Sequence, residues 1–309
     1  MNRNDDKALR RVIVIIPAYN ESEKVGETIR ALKDVSSVFV KMGLSLLVYV
    51  IDDGSEDETY RRAREANADR VLRHKINCGL GAAVRTGLAA ARADGAEIAV
   101  KFDADLQHDP NDIVSLIKPI LDDEADVVYG HRFNRMEYEM PFVRWTGNFV
   151  FTRIMRFLTG WSITDSQPGI LAVNHAYLDV FRIPGDYNYT QQILLDAYHK
   201  GMRFAQRDVS FRKRETGKSF VSFKYPFKVV PQLFWVIVGV KPMKIFGPLA
   251  LLFLFLAFGI SVVEMILWVR GVIPKPILHV NAVQGAMTLG LQILFLGVIA
   301  ELIIRNGRK

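Results

Sequence analysis

The chain has 309 residues and a net charge of +7, from 40 Lys and Arg against 33 Asp and Glu. Half of it is hydrophobic and 24% is charged, which excludes a disordered chain, too poor in apolar area, and an all-membrane protein, too poor in charge. A single cysteine, Cys78, excludes an intramolecular disulfide and a Cys-rich zinc site.

At ~150 residues per domain the length implies about two domains. The polar start, MNRNDDKALRR, runs straight into an apolar strand, so no cleavable signal is expected. Short Val- and Ile-rich segments predict strands over Val12–Ile16, Leu47–Ile51, Arg70–Leu72, Ile98–Phe102 and Val127–Tyr129. None alternates strictly, as expected for strands buried on both faces. Between them, helices are predicted over Ser22–Met42, Asp57–Asn67, Leu80–Ala93 and Pro110–Leu121, the last with Asp109 as N-cap and Pro110 at its first position. This alternation predicts a mainly parallel α/β sheet with a ligand crevice at the C-terminal strand ends.

The acidic motifs fall at those ends. Strand one leads into Pro17-Ala18-Tyr19-Asn20-Glu21, strand two into Asp52-Asp53-Gly54-Ser55, and strand four into Asp103-Ala104-Asp105-Leu106-Gln107. Any one of them could be a turn or a helix cap. Three carboxylate groups leaving buried strands together point instead to a metal or a hydrogen-bonding ligand. Asp103, Asp105 and Gln107 offer hard oxygen ligands on one turn, suited to Mg²⁺ or Mn²⁺ bridging a diphosphate. The stretch Asn77-Cys78-Gly79-Leu80-Gly81 has the look of a phosphate loop, but Val84 replaces the third glycine of a dinucleotide fingerprint and no Gly-Lys-Ser/Thr occurs. Cys78 is expected to be a small buried residue there. The six histidines lack zinc spacing, while His108 and His131 lie near the acidic site.

The charge surplus is local. Between Arg207 and Ile245 nine basic residues face only Asp208 and Glu215, which accounts for the whole +7. Phe220, Phe223, Tyr225, Phe227, Phe234 and Trp235 are interleaved with them, the pattern of an interfacial amphipathic segment. Two apolar runs follow, Phe246–Trp268 and Val283–Ile304. The first, at ~1.5 Å per residue, makes a helix of roughly 34 Å, enough to cross a bilayer. Lys241 and Lys244 precede this hairpin and Arg305, Arg308 and Lys309 follow it, which predicts that both ends and the N-terminal domain are cytoplasmic. Glu264 is expected to face the partner helix or a neighbouring subunit, so the spans also offer a homo-oligomer contact.

In order along the chain, Pro17–Glu21, Asp52–Ser55, Asp103–Gln107, Gly130-His131-Arg132 and Thr164-Asp165-Ser166-Gln167-Pro168-Gly169 resemble glycosyltransferase family 2. Within it the likeness is to dolichol-phosphate mannose synthases and polyprenyl-phosphate glycosyltransferases with two C-terminal spans. It covers about residues 11–220. The resemblance implies a GT-A catalytic domain (residues 1–219), a juxtamembrane segment (220–245), a transmembrane hairpin (246–304) and a basic tail (305–309). It implies inverting, metal-dependent transfer of one hexose from a nucleotide sugar, a UDP-sugar ahead of GDP-mannose, to a polyprenyl phosphate. Carried over by motif, Pro17, Tyr19, Glu21, Asp52 and Asp53, with Asn77, Gly81 and Asp103, would hold the donor. Asp103, Asp105 and Gln107 would hold the metal. Arg132, Arg144, Arg214, Lys218 and Ser219 would reach the acceptor phosphate, and Asp165 would align the nucleophile. Two departures stand out: Leu171 occupies a position where members commonly have Arg, two residues after Gly169, and Gln192 lies where an acidic residue is usual.

Rival readings are a processive polysaccharide synthase, a membrane-tethered nucleotidyltransferase and an inactive sugar-nucleotide-binding membrane protein. The first needs Gln-x-x-Arg-Trp, and Pro141 precedes Arg144-Trp145 where Gln is required. The intact Asp103 and Asp105 argue against the last. No nucleic-acid partner is expected, since the aromatics adjoin the spans rather than a basic sheet face.

Overall fold

The run Val12-Ile13-Val14-Ile15-Ile16 forms the centre of β1 (Arg10–Ala18), and all five side chains are fully buried. Such a run covers both faces of a strand and belongs in the middle of a sheet. The computed structural model describes residues 9–135, 142–183, 186, 188–212, 238 and 241–306. The chain divides into two compact units, Met1–Phe220 and Val221–Lys309.

In the first unit β1 is joined by β2 (Leu44–Asp52), β3 (Arg70–Arg73), β4 (Ile98–Lys101), β5 (Val127–His131), β6 (Leu171–Asn174) and β7 (Phe204–Asp208). They form one sheet in the order β3-β2-β1-β4-β6-β5-β7. All neighbours run parallel except β6, which is antiparallel to both β4 and β5. The expected mainly parallel α/β sheet is present. Its five foreseen strands are joined by two that the pattern did not announce, because β6 has four residues and β7 (Phe-Ala-Gln-Arg-Asp) carries no apolar run.

The helices are α1 (Val25–Asp34), α2 (Ser36–Lys41), α3 (Thr59–Glu65), α4 (Leu80–Ala93), α5 (Asp112–Leu121), α6 (Phe142–Thr159), α7 (His175–Val180) and α8 (Tyr189–His199). The single helix expected over 22–42 is two helices broken at Val35, where a β-branched residue followed by Ser36-Ser37 gives weak helix propensity. Nor does Asp109 cap α5. Its Oδ1 accepts the Asn111 amide at 2.9 Å in a local turn, and the helix begins at Asp112. Helix α4 lies against the sheet through Gly87, where a Cβ would come within 2.2 Å of Ile15 Cγ2.

Asp126 staples the far side of the sheet. Its carboxylate accepts bonds from Arg203 N (2.8 Å), Arg203 Nε (3.1 Å), Arg203 Nη2 (3.0 Å) and Asn174 Nδ2 (2.8 Å). Burial pushes its pKa up, but these bonds outweigh burial and hold it below the usual carboxylate value. A depressed folded pKa stabilises the fold fully above the unfolded value of about 4 and is lost as pH falls through the lower folded value. Asp126→Asn is therefore expected to cost about 2 kcal/mol at neutral pH in urea unfolding. The gap from wild type should narrow as pH drops below about 4.

The second unit is described over two long apolar helices, α9 (Met243–Val269) and α10 (Val280–Asn306). Their apolar windows are only 17% and 11% buried, unlike core helices of a soluble domain. Glycines let the two approach. A Cβ on Gly290 would meet Leu254 Cδ2 at 2.9 Å, and one on Gly297 would meet Phe246 Cβ at 2.6 Å. Glu264 does face the partner helix, at its start: it accepts the Leu278 amide at 2.8 Å and pairs with His279 Nδ1 at 2.5 Å. A carboxylate there satisfies amides at the head of α10.

Candidate active site

The site sits where β1, β2 and β4 end. After β1 the chain turns at Asn20 (φ +54°) and is laced to the loop after β2. The Asn20 amide donates to Ser55 Oγ (3.0 Å), the Glu21 amide to Thr59 Oγ1 (2.9 Å), and the Glu56 amide to Asn20 Oδ1 (2.9 Å). Gly54 is required here: its φ is +72°, and a Cβ would lie 2.4 Å from the Ile76 carbonyl carbon. Tyr19, Gly54, Ser55, Glu56, Arg73 and Asn77 help line an open cleft of about 580 Å³, within the size range of small-molecule sites. Of the expected donor residues, Tyr19 and Asn77 line it directly.

Others of that set are engaged within the protein. Pro17 is buried in β1. Asp52 is fully buried, with Oδ1 on the Ser55 amide (3.0 Å) and Oδ2 3.0 Å from Arg73 Nε. Asp53 accepts the Cys78 and Gly79 amides (3.0 and 2.8 Å) and pairs with His74 Nδ1 at 2.6 Å, while His74 Nε2 reaches Thr86 Oγ1 at 2.9 Å. Asp53 thus holds the loop that Asn77 presents to the cleft. Gly81 packs on the Asp186 backbone, where a Cβ would lie 2.6 Å from its carbonyl oxygen. Cys78 is exposed rather than buried, because its backbone, not its side chain, is what Asp53 anchors. Among the described residues Asp53, His74 and Cys78 also form a three-residue group with ligand-type atoms within 4.8 Å, but the bonds just given already occupy both His74 nitrogens.

The Asp-x-Asp turn follows β4. Leu106 has φ +61°, which curls the turn so that Asp105 Oδ1 accepts the Gln107 amide at 3.2 Å. Gln107 is tied to the chain leaving β7: its Nε2 donates to the Arg212 carbonyl (3.0 Å) and its own carbonyl accepts the Arg212 amide (2.8 Å). Asp103, about 29% exposed, bonds through Oδ1 to Lys101 Nζ, and its Oδ2 lies 4.0 Å from His108 Nε2. The donors of the turn are hard oxygens, the chemistry that suits Mg²⁺ or Mn²⁺. Burial, reinforced by the charges of Lys101 and Arg132 and opposed by Asp103, lowers the His108 pKa to about 4. The imidazole, packed between Phe102 and Phe211, is neutral at physiological pH.

The opposite wall is built on Arg132, just after β5. Its Nε donates to Asp165 Oδ2 (2.8 Å) and its Nη2 to the Gln167 carbonyl (2.6 Å), with Phe211 beneath the guanidinium at 5.3 Å. Asp165 is fully buried. Its Oδ1 also accepts Asn148 Nδ2 (3.2 Å) and the Gln167 amide (3.0 Å). Both Asp165 oxygens are engaged within the protein, and the carboxylate orients Arg132. Gly169 closes this loop against the turn, since a Cβ there would lie 2.1 Å from His108 Nε2 and 2.6 Å from Asp103 Oδ2. Leu171 is fully buried on β6, and Gln192 lies on α8. The Arg144 side chain and residues Arg214, Lys218 and Ser219 lie outside the described residues, as does most of the basic segment.

The motifs did not disclose Lys101, Asn148 or Tyr189. Only Lys101 left a sequence signal, a lone charge ending the otherwise apolar strand Ile-Ala-Val-Lys. Burial works to lower its pKa, but the Asp103 carboxylate and Tyr189 raise it above the ordinary value, so it stays an ammonium.

A mainly parallel sheet with one reversed strand, an Asp-x-Asp turn after β4 and an open cleft at the ends of β1 and β2 are the features of a GT-A-type glycosyltransferase fold. Residues 13–181 match the model of glycosyl transferase family 2. The chain is 35% identical over 187 residues to the UDP-N-acetylglucosamine–dolichyl-phosphate N-acetylglucosaminyltransferase of Methanococcus voltae, covering 55% of this chain and 71% of that protein. It is 24% identical to the dodecaprenyl-phosphate galacturonate synthase of Rhizobium johnstonii over 98% of this chain and 90% of that one. Its fold matches the Mycobacterium tuberculosis glucosyl-3-phosphoglycerate synthase crystallised with Mn²⁺, UDP and phosphoglyceric acid, with a TM-score of 0.55 and 22% identity, covering 69% and 73% of the two chains. The chain belongs to glycosyltransferase family 2 and is a glycosyltransferase.

Proposed function

We propose that this enzyme transfers a single hexose, with inversion, from a nucleotide-diphosphate sugar to a polyprenyl phosphate. The observation that carries this reading is the alignment of 98% of the chain, both long apolar helices included, with a relative named for a dodecaprenyl-phosphate product. A UDP-sugar is the preferred donor over GDP-mannose, in keeping with the UDP named for the Methanococcus relative.

The chemistry suits the side chains present. A phosphate monoester has its second pKa near 6 and is largely dianionic at neutral pH, so it attacks the anomeric carbon without a strong base. What the protein must supply is alignment of two anionic groups and stabilisation of the leaving diphosphate. Asp103, Asp105 and Gln107 would hold Mg²⁺ or Mn²⁺, which when bound neutralises charge on the leaving diphosphate. Tyr19 and Asn77 face the nucleoside cleft, with Asp53 fixing the loop that carries Asn77. Arg132, oriented by Asp165, offers a planar guanidinium to the acceptor phosphate. Arg144, Arg214, Lys218 and Ser219 complete the acceptor set in this reading.

In this reading the two apolar helices span the membrane with the catalytic unit on the cytoplasmic side, a placement supported by Lys241, Lys244, Arg305, Arg308 and Lys309 through the positive-inside tendency. The test is to incubate the purified full chain with a panel of nucleotide sugars, polyprenyl phosphate and Mn²⁺ and to extract the lipid. A lipid-linked monosaccharide from one donor is expected, and no product from any donor refutes the assignment. Protease should digest the catalytic unit in inside-out vesicles and spare it in right-side-out ones; the opposite pattern refutes the orientation.

A further inference from the structure

Lys101 is placed as no motif anticipates. It ends β4 with a side chain only 1% exposed. An ammonium at such depth is costly unless it is paired and hydrogen-bonded. Its Nζ bonds to Asp103 Oδ1, donates to the Gly169 carbonyl at 2.7 Å, and lies 5.8 Å from the centre of the Tyr189 ring.

These partners belong to different walls of the site. Asp103 opens the Asp-x-Asp turn, whereas Gly169 ends the loop whose Asp165 holds Arg132. One buried cation therefore joins the donor turn to the acceptor-side loop. The register adds a second observation: Lys101 pairs directly with Leu171 across the antiparallel β4–β6 ladder. Residues directly opposite in such a ladder point to the same face with Cβ atoms ~5 Å apart. A cation carried at either position would reach the same space, so an arginine at 171 is a direct probe of the contacts Lys101 makes.

We propose that Lys101 is a positioning residue: its ammonium clamps Asp103 to the Gly169 carbonyl and so fixes the donor turn relative to Arg132. The role rests on the glycosyl-transfer reading, but its primary test does not. The ammonium competes with a divalent ion for Asp103 and repels it, so the clamp holds the turn in register at the expense of metal affinity.

The test uses the full chain in detergent, with free Mn²⁺ followed by electron paramagnetic resonance and unfolding followed by circular dichroism. Lys101→Met is expected to bind Mn²⁺ about tenfold more tightly and, at saturating donor and Mn²⁺, to lose about 10²-fold in kcat. Lys101→Arg should keep Mn²⁺ affinity within about twofold of wild type, because the charge is retained. In the Lys101→Leu background, Leu171→Arg should return Mn²⁺ affinity toward the wild-type value and recover at least about tenfold in kcat. A merely structural counter-ion would lower the melting temperature of Lys101→Met while leaving Mn²⁺ affinity and kcat of the folded protein unchanged, and that result overturns the proposal. So does a folded swap variant that binds Mn²⁺ no differently from Lys101→Leu. If Lys101→Met does not fold, Lys101→Arg and the swap variant decide by the same criteria. A wild type that binds Mn²⁺ but transfers no sugar would refute the function reading and leave the Mn²⁺ comparison to judge Lys101.

Discussion

Asp105→Ala is expected to lower sugar transfer by about three orders of magnitude while leaving the fold intact. Asp105 sits half-buried on a curled turn, where its described bond is to the Gln107 amide two residues away. Removing it takes a hard oxygen from the turn, and the thermal melt below separates that loss from any loss of fold. In the proposed reaction the leaving diphosphate develops charge in the transition state, and the hard oxygens of this turn would hold a neutralising cation. The measurement is the initial rate at saturating Mn²⁺ and donor, with a thermal melt as control. A variant that melts like wild type and keeps more than about a tenth of its rate would remove Asp105 from the metal site.

Truncating Arg132 is expected to act on both stability and activity. Its partner Asp165 is fully buried, and Arg132 itself is only 14% exposed on its side chain. Arg132→Met strands a buried carboxylate, which typically costs 3–5 kcal/mol. Asp165→Leu strands the guanidinium and is expected to cost a similar amount. The double variant should cost less than the sum of the two, since neither charge is then left alone. Urea unfolding of the four proteins checks this directly. Additive losses, or single losses below about 1 kcal/mol, would show that the pair is not the structural unit described. All three variants should be inactive toward a phosphate acceptor, because each removes the guanidinium or its orientation.

Much of the architecture was legible in the sequence because buried parallel strands leave a plain signature. The Val-Ile runs of β1 and β2 and the carboxylates at their ends marked the sheet and the edge where the site lies. The reversal of β6 was not legible. Leu-Ala-Val-Asn has the composition of any short buried strand, and four such residues carry nothing that distinguishes a parallel from an antiparallel neighbour. The motifs likewise pointed to these carboxylates without saying what each one bonds. Asp53 and Asp165 looked like ligand contacts, yet their oxygens hold the 78–79 amides and Arg132. That division between groups that face a ligand and groups that hold those groups depends on contacts across more than 20 residues of sequence, which no local spacing encodes. Lys101 is the sharpest case, since its meaning lies in a residue 68 positions away, the Gly169 carbonyl.

The central claim is that a lipid phosphate monoester is the nucleophile, and ³¹P nuclear magnetic resonance reads that atom. Polyprenyl phosphate mixed with the full chain, a nucleotide sugar and Mg²⁺ should lose its monoester resonance and gain a phosphodiester resonance, one equivalent per nucleoside diphosphate released, with a product mass one hexose larger. Release of nucleoside diphosphate with the monoester resonance unchanged would contradict it.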